Sequence, residues 1–322
     1  MYKSATITFA TATAVALTVC LAGVKNTRAD LVVNGTANGT WANNATMTYT
    51  SAPNDPTNVS TSQTELTGGG SLTVSSGTLN LTSSTWGSYN GQNTTGGVNN
   101  YYTQSGGTVN WTAKGSNEQI FNIGNHGSLG DFNISGGALN VTTDQVIIAR
   151  DNTVTGTDGQ LTLTGGTVTF TTAQFGMGGV FSSNGGTSNT WTAQNGMTGE
   201  ITFGSGSGEL LVTGLNSLTN SNTFNVNTAD AYINFLTGSG GQFEVSAANA
   251  AAPLSFFQGL VTSRAIKLNG SAATISDFAY STSGNNGVFQ LAAPVPEPAS
   301  LGLVAAGGLG LLACRMRRRM IC

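Results

Sequence analysis

The chain has a single histidine, His126, set in Gly124-Asn125-His126-Gly127-Ser128 with Asp131 close behind. A Ser/His/Asp relay needs its serine on an exposed elbow within reach of the imidazole. The flanking glycines describe a turn instead, so the trio is read as loop chemistry without a catalytic role. Paired carboxylates are a second source of chemistry, because glycan cleavage sets one acid to protonate and another to attack or activate water. Asp144, Asp151 and Asp158 are the available acids, with Arg150 as base or charge stabiliser. Their seven-residue steps through a Gly/Thr-rich stretch fix no separation between two carboxyl groups. Asp151-Asn152-Thr153-Val154-Thr155-Gly156 opens like a calcium loop, yet its twelfth position is Thr162 rather than Glu. These residues are read as surface acids with weak calcium binding at most. No catalytic, metal or cofactor-binding residue is assigned, and the chain is not expected to be an enzyme.

Stepping outward from those loops, a ten-residue unit recurs along the chain. Leu72–Leu81, Tyr102–Trp111, Phe132–Val141 and Leu161–Phe170 align, with starts 30, 30 and 29 residues apart. A degenerate copy is read at Gln194–Phe203 and a clearer one at Leu236–Val245. Apolar residues alternate on each side of a Gly pair, as at Phe132 and Ile134, then Leu139 and Val141, which is the period of a strand. The step from Ile134 to Leu139 is odd. A single straight strand would put the second pair on the wrong face, so the glycines must form a corner or a turn. A hairpin would pair Ile134 with Leu139, giving a β-sandwich of Gly-Gly hairpins as the alternative. A coil of three short strands needs about 30 residues, which favours a parallel β-helix, or β-solenoid. Gln119–Ile123, Gln145–Ile148 and Gln174–Met177 supply the third strand. In a solenoid Asn80, Asn110 and Asn140 would stack as an amide ladder. The repeat loosens from about residue 209. There a short helix near Pro253 and strands at Ala265–Leu268 and Val288–Leu291 are expected to close the end.

Composition agrees with an all-β fold. Only 8% of residues are charged and 45 are glycine, a mixture poor in helix formers and rich in strand and corner formers. Residues 30 to 295 hold four basic against thirteen acidic side chains, a net charge of −9. Such a surface has no phosphate-neutralising footprint, which argues against nucleic acid as a partner. All three cysteines, Cys20, Cys314 and Cys322, lie in the terminal segments, so the body holds neither a thiol nucleophile nor a disulfide. A glycan groove would be marked by exposed aromatics drawn from Trp86, Tyr89, Trp111 and Trp191. Trp111 falls on an apolar repeat position and is expected in the core.

The two ends carry addresses. Lys3 precedes an apolar run from Ile7 to Val24, and Thr27-Arg28-Ala29 places small residues where a signal peptidase reads, predicting a signal peptide over 1–29 cleaved after Ala29. A body over 30–292 follows, and a tail over 293–322. In the tail Val295-Pro296-Glu297-Pro298 is held extended by its prolines. Fifteen uncharged residues from Ala299 to Ala313 would span about 22 Å as a helix. Arg315, Arg317, Arg318 and Arg319 then hold that end in the cytoplasm and leave the body outside.

These three parts in order resemble the PEP-CTERM sorting domain. The resemblance implies a Gram-negative source that makes exopolysaccharide or biofilm. It also implies transient inner-membrane anchoring, processing by an exosortase-like membrane protease, and a destination at the cell surface or outside the cell. The body is similar to autotransporter-type β-repeats. The function so implied is a structural or adhesive protein of the surface or extracellular matrix, with exopolysaccharide or other surface proteins as partners. A glycan-binding or glycan-cleaving β-helix is the alternative.

Overall fold

A computed structural model describes residues 99–293, apart from 114–118, 126, 151–155, 183–188, 221 and 249. It also describes residues 72–75 and 78, and the backbone of strands Lys3–Thr8, Ala16–Leu21, Ala29–Asn34, Thr36–Gly39, Thr64–Thr67, Ser71–Val74, Thr78–Ser83 and Ser88–Gln92. The body is a β-solenoid of about five turns, and each coil up to Phe224–Val226 contributes strands to three faces. Leu129–Arg150 runs through all three in one pass. Leu129 to Ile134 lie on the first face, Ala138 to Thr143 on the second, and Gln145 to Arg150 on the third.

Every coil-to-coil pairing from Asn99 to Phe235 is parallel. Ile134 pairs with Gln104 before it and Leu163 after it, not with Leu139 across a hairpin. The hairpin sandwich is therefore excluded. The register follows the repeat as read: Leu72 pairs with Tyr102, Tyr102 with Phe132, and Phe132 with Leu161. The third strand also lies where expected, with Phe121 beside Val146 and Val146 beside Phe175.

Glycine pairs make the corner between the first two faces for two separate reasons. Gly107, Gly137 and Gly166 adopt φ of 70°, 80° and 72°, the left-handed region that a Cβ disfavours. Gly106, Gly136 and Gly165 sit against the backbone of the preceding coil. A Cβ at Gly136 would lie 2.5 Å from the Ser105 carbonyl oxygen, and one at Gly165 2.4 Å from that of Ser135.

The two later repeats are placed differently from the sequence reading. Leu161 pairs with Ile201 and Phe170 with Val212, so the coil unit is 201–212 rather than 194–203. The next unit is 233–245, with Ile233 beside Ile201 and Val245 beside Val212. The Gly pair has given way to a longer corner, Gly204-Ser205-Gly206-Ser207-Gly208, and then to 236–241. Leu236, read as the first core position of its unit, stands in that corner and is 37% exposed.

Inward residues of the three faces form one continuous core that includes Trp111, Phe132, Phe170, Phe203 and Phe235. Aromatic rings stack along it from coil to coil: Tyr102 on Phe132 and Phe203 on Phe235, each with centroids 4.5 Å apart. Buried Tyr102 donates its hydroxyl to Gln104 at 2.7 Å, and Gln104 in turn donates to the carbonyls of Gly106, Gly107 and Ala138. The corner is thus tied from inside. Burial holds the Tyr102 phenol well above its ordinary value, so it remains a donor.

At the far end Pro253 precedes helix Leu254–Thr262, which buries Phe257 and Val261. Strands Phe278–Ser283 and Asn286–Leu291 form a hairpin, and the second lies antiparallel along Gln242–Ala247. Phe257 stacks on Phe289 at 4.9 Å, and Phe289 on Phe278 at 4.6 Å. Helix and hairpin together cover the last coil, where unpaired strand edges and open core would otherwise meet water. Among the described residues no helix is long and apolar enough to cross a membrane. The apolar run 301–313 lies outside them.

Candidate functional site

Alternation in the strands of the first face turns every second side chain outward, and the parallel register stacks those side chains into columns. One column reads Tyr101, Asp131, Gln160, Glu200, Tyr232. Beside it runs Thr103, Asn133, Thr162, Thr202, Asn234, Lys267. Near the N-terminal coils Asp131 accepts from Asn133 Nδ2 at 2.9 Å, and Asn99 donates to the Tyr101 hydroxyl at 3.1 Å. Burial raises the Asp131 carboxyl above its ordinary value, against the lowering effect of the Asn133 bond.

Toward the C-terminal coils the columns carry charge and amide together. Glu200 accepts from the hydroxyl of Thr202, from Tyr232 Oη at 3.1 Å and from Asn234 Nδ2 at 3.3 Å. The Lys267 ammonium lies 3.6 Å from the centre of the Tyr232 ring, a cation–π contact. Burial first, then the charge and hydrogen bond of Glu200, raise the Tyr232 phenol. Asn234 is only 6% exposed and accepts the Gly270 N–H at 2.9 Å through Oδ1. A carboxylate, an amide and an amine therefore share one patch on three successive coils.

A pair of acids stands outside the second face. Glu209 accepts from Thr167 Oγ1 at 3.1 Å, and Glu244 accepts from Asn286 Nδ2 of the closing hairpin at 2.9 Å. Burial is the main cause that raises the Glu244 carboxyl; the Asn286 bond lowers it, while the hydrogen bond and charge of Glu209 raise it further. Nothing in the repeat pattern pointed to either acid cluster. Both arise because polar residues of neighbouring coils fall into register where the corners have lengthened.

The acids considered from sequence are not gathered. Asp144 precedes strand segment Gln145 to Arg150 and Asp158 follows it, so they stand at different corners of the coil. Burial raises the Asp144 carboxyl. Asp151 and His126 lie outside the described residues. Ser128 is fully buried and its hydroxyl has no hydrogen-bond partner among the described residues, and Asp131 points outward from the first face. Thr162 stands beside Asn133 on that same face. Among the described residues no three His, Cys, Asp or Glu side chains gather to hold a metal.

Of the aromatics considered for a groove, Trp111 is 2% exposed in the core. Trp191 belongs to a short antiparallel pairing of Gly179–Phe181 with Trp191–Ala193. That excursion folds over the third face, where Trp191 and Phe181 pack with Ile120 and Ile147. Trp86 lies outside the described residues, and of Tyr89 only the backbone is described, paired with Asn122 on the third face.

Val295, Pro296, Glu297, Pro298 and the arginines 315, 317, 318 and 319 also lie outside the described residues. Family comparison matches them: residues 294–319 fit the PEP-CTERM protein-sorting motif. That motif implies export and a C-terminal sorting signal, consistent with a surface or extracellular destination. No curated protein and no solved structure matches the chain.

Proposed function

We propose that the chain is a structural or adhesive protein of the cell surface or extracellular matrix, sorted through its tail and cut there by an exosortase-like membrane protease. The observation that carries this reading is the sorting motif at 294–319, which follows directly on the closing strand Asn286–Leu291 of a cysteine-free solenoid. In this reading the signal peptide delivers the body across the inner membrane and is cleaved after Ala29. The body then begins at Asp30, in strand Ala29–Asn34, which pairs in parallel with Ser71–Val74 and on its other edge antiparallel with Ala16–Leu21. The apolar helix 299–313 anchors the tail only until Pro296-Glu297-Pro298 is recognised. A stacked solenoid suits the destination because each coil supports the next through a continuous backbone ladder, and its polar outer columns offer a long surface to neutral glycans or to other proteins.

Intact mass and fractionation of the protein from its host test the reading. A mature mass lacking Arg315 to Arg319 is expected. Replacing Pro296, Glu297 and Pro298 with alanine should retain those arginines and keep the protein in the membrane fraction. A wild-type mature protein that still contains the arginine cluster overturns it.

A further inference from the structure

We propose that Lys267 and Asn234 condense into an intramolecular isopeptide bond, with Glu200 as the catalytic carboxylate, joining two successive coils of the solenoid covalently. Two hydrogen bonds to one amide, and the register that sets a lysine beside it, point to this bond, which goes beyond the sorting function.

Asn234 and Lys267 are direct neighbours on adjacent parallel strands of the first face. Coils stack at about 4.8 Å, well within the length of a lysine side chain. Lysine rather than a short residue is what allows its amine to reach an amide on the next rung. The Tyr232 ring, two residues before Asn234 on the same strand, holds the Lys267 Nζ at 3.6 Å from its centre. The amine is thus held on the outer face two residues from the amide, and swings from the Tyr232 ring to reach Cγ of the residue its own backbone faces.

Both ends of the amide are already engaged in the way the reaction requires. Oδ1 accepts the Gly270 N–H at 2.9 Å, which polarises the carbonyl and faces the oxyanion that forms on attack. That donor is fixed by a two-residue turn: Asn269 and Gly270 adopt φ of 51° and 73° between Leu268 and Ser271. Asn269 is itself bonded to Thr237, through its side-chain oxygen to the backbone N–H at 2.9 Å and through its nitrogen to the hydroxyl at 2.7 Å. At the other end Nδ2 donates to Glu200 Oε1, so the leaving nitrogen touches a carboxylate. Tyr232 secures the second oxygen of Glu200.

The step balances without oxidant or cofactor. The Lys267 ammonium gives one proton to solvent, and the resulting amine adds through its lone pair to Cγ of Asn234, forming the new N–C bond and placing charge on Oδ1. Glu200 takes a proton from the attacking nitrogen and passes it to Nδ2. Collapse of the adduct breaks the Cγ–Nδ2 bond and releases one ammonia, leaving a secondary amide between the two side chains. Because the exported body has no cysteine, this bond would supply the covalent bracing that disulfides give other exported proteins. It would fasten the last rung of the first face to the coil before it.

The test is mass spectrometry of the purified full-length chain after incubation at neutral pH. The expected mass is lower than the sequence mass by one ammonia. Trypsin should then fail to cut after Lys267 and should yield the Asp151-to-Arg264 fragment linked to the fragment that begins at Ala265. Lys267→Arg keeps a cation over Tyr232 but cannot form the amide, and should show the full sequence mass with an unchanged circular dichroism spectrum. Glu200→Gln should slow bond formation by roughly a hundredfold or more. A wild-type chain that keeps its full mass and is cleaved normally after Lys267 overturns the proposal, whatever the variants do. Equal crosslinking in Glu200→Gln and wild type overturns the role of the carboxylate.

Discussion

Asn140 donates its side-chain amide to the Oδ1 of Asn110 in the preceding coil at 2.9 Å. Their backbones pair directly, and the same column continues to Thr169 in the next coil. The bond is partly exposed, so it contributes an ordinary net hydrogen-bond energy rather than that of a buried one. Asn140→Ala should cost about 1 kcal/mol, read as a lower urea midpoint with an unchanged slope. Asn140→Thr should cost less, because a β-branched hydroxyl residue already fills this column at Thr169.

The glycine corners predict a sharper contrast. Gly137 has φ of 80°, and a Cβ there would lie 2.4 Å from the Gly107 carbonyl oxygen, a backbone atom that cannot move aside alone. Gly137→Ala combines left-handed strain with overpacking and should destabilise by about 2–5 kcal/mol. Gly156 has a similar φ of 87° but, among the described residues, nothing within 4 Å of its Cβ position. Gly156→Ala should cost only the conformational part, about 1–2 kcal/mol. Urea titration of the two variants separates strain from collision; equal losses would show that collision contributes nothing.

That contrast also explains what could be read from the residues. Where the Gly pair is kept, from Gly106 to Gly166, the corner has fixed length, and the pairing of Tyr102, Phe132 and Leu161 followed from spacing alone. Beyond it the corner grows, and an alignment anchored on glycines drifts away from the core positions. Ile201 and Ile233 are the true counterparts of Leu161, while Leu236 is left in the turn. The acid clusters were hidden for the same reason. Glu200 and Asn234 are 34 residues apart, and no local pattern ties them until the coil lengths are known. The sorting tail was legible because its three parts are contiguous and need no tertiary context.

Asn122 offers the opposite of the Asn140 case. It is fully buried on the third face, beside Ile147 of the next coil, and among the described residues neither atom of its side-chain amide has a hydrogen-bond partner. An unpaired buried amide has lost its water without compensation, whereas leucine has nearly the same shape and no such penalty. Asn122→Leu should therefore stabilise the solenoid by about 1–2 kcal/mol. A higher urea midpoint checks this, and a fall in midpoint would show that the amide is satisfied in solution.

Glu244 predicts how stability responds to pH. Its carboxyl is raised above the ordinary glutamate value chiefly by burial, with Glu209 adding to the shift and Asn286 opposing it. The native state therefore holds this proton more tightly than the unfolded chain does. Between the unfolded and the raised native value the folded protein binds more protons, so stability falls as pH rises through that window. The contribution is complete below the unfolded glutamate value and is lost above the native one. Asp131 and Asp144 are raised as well, again mainly by burial, and act in the same direction. Thermal midpoints should accordingly decline from mildly acidic to neutral pH. Glu244→Gln keeps an oxygen for the Asn286 amide and removes the ionisation. It should raise the midpoint at neutral pH, leave it nearly unchanged at low pH, and flatten the profile between them. A variant whose profile runs parallel to that of the wild type would show that Glu244 does not titrate in this window. The closing hairpin is the element at stake, since Asn286, the first residue of its second strand, reaches Glu244. Hydrogen exchange along Asn286–Leu291 should quicken with rising pH beyond the intrinsic rate in the wild type, and less so in Glu244→Gln.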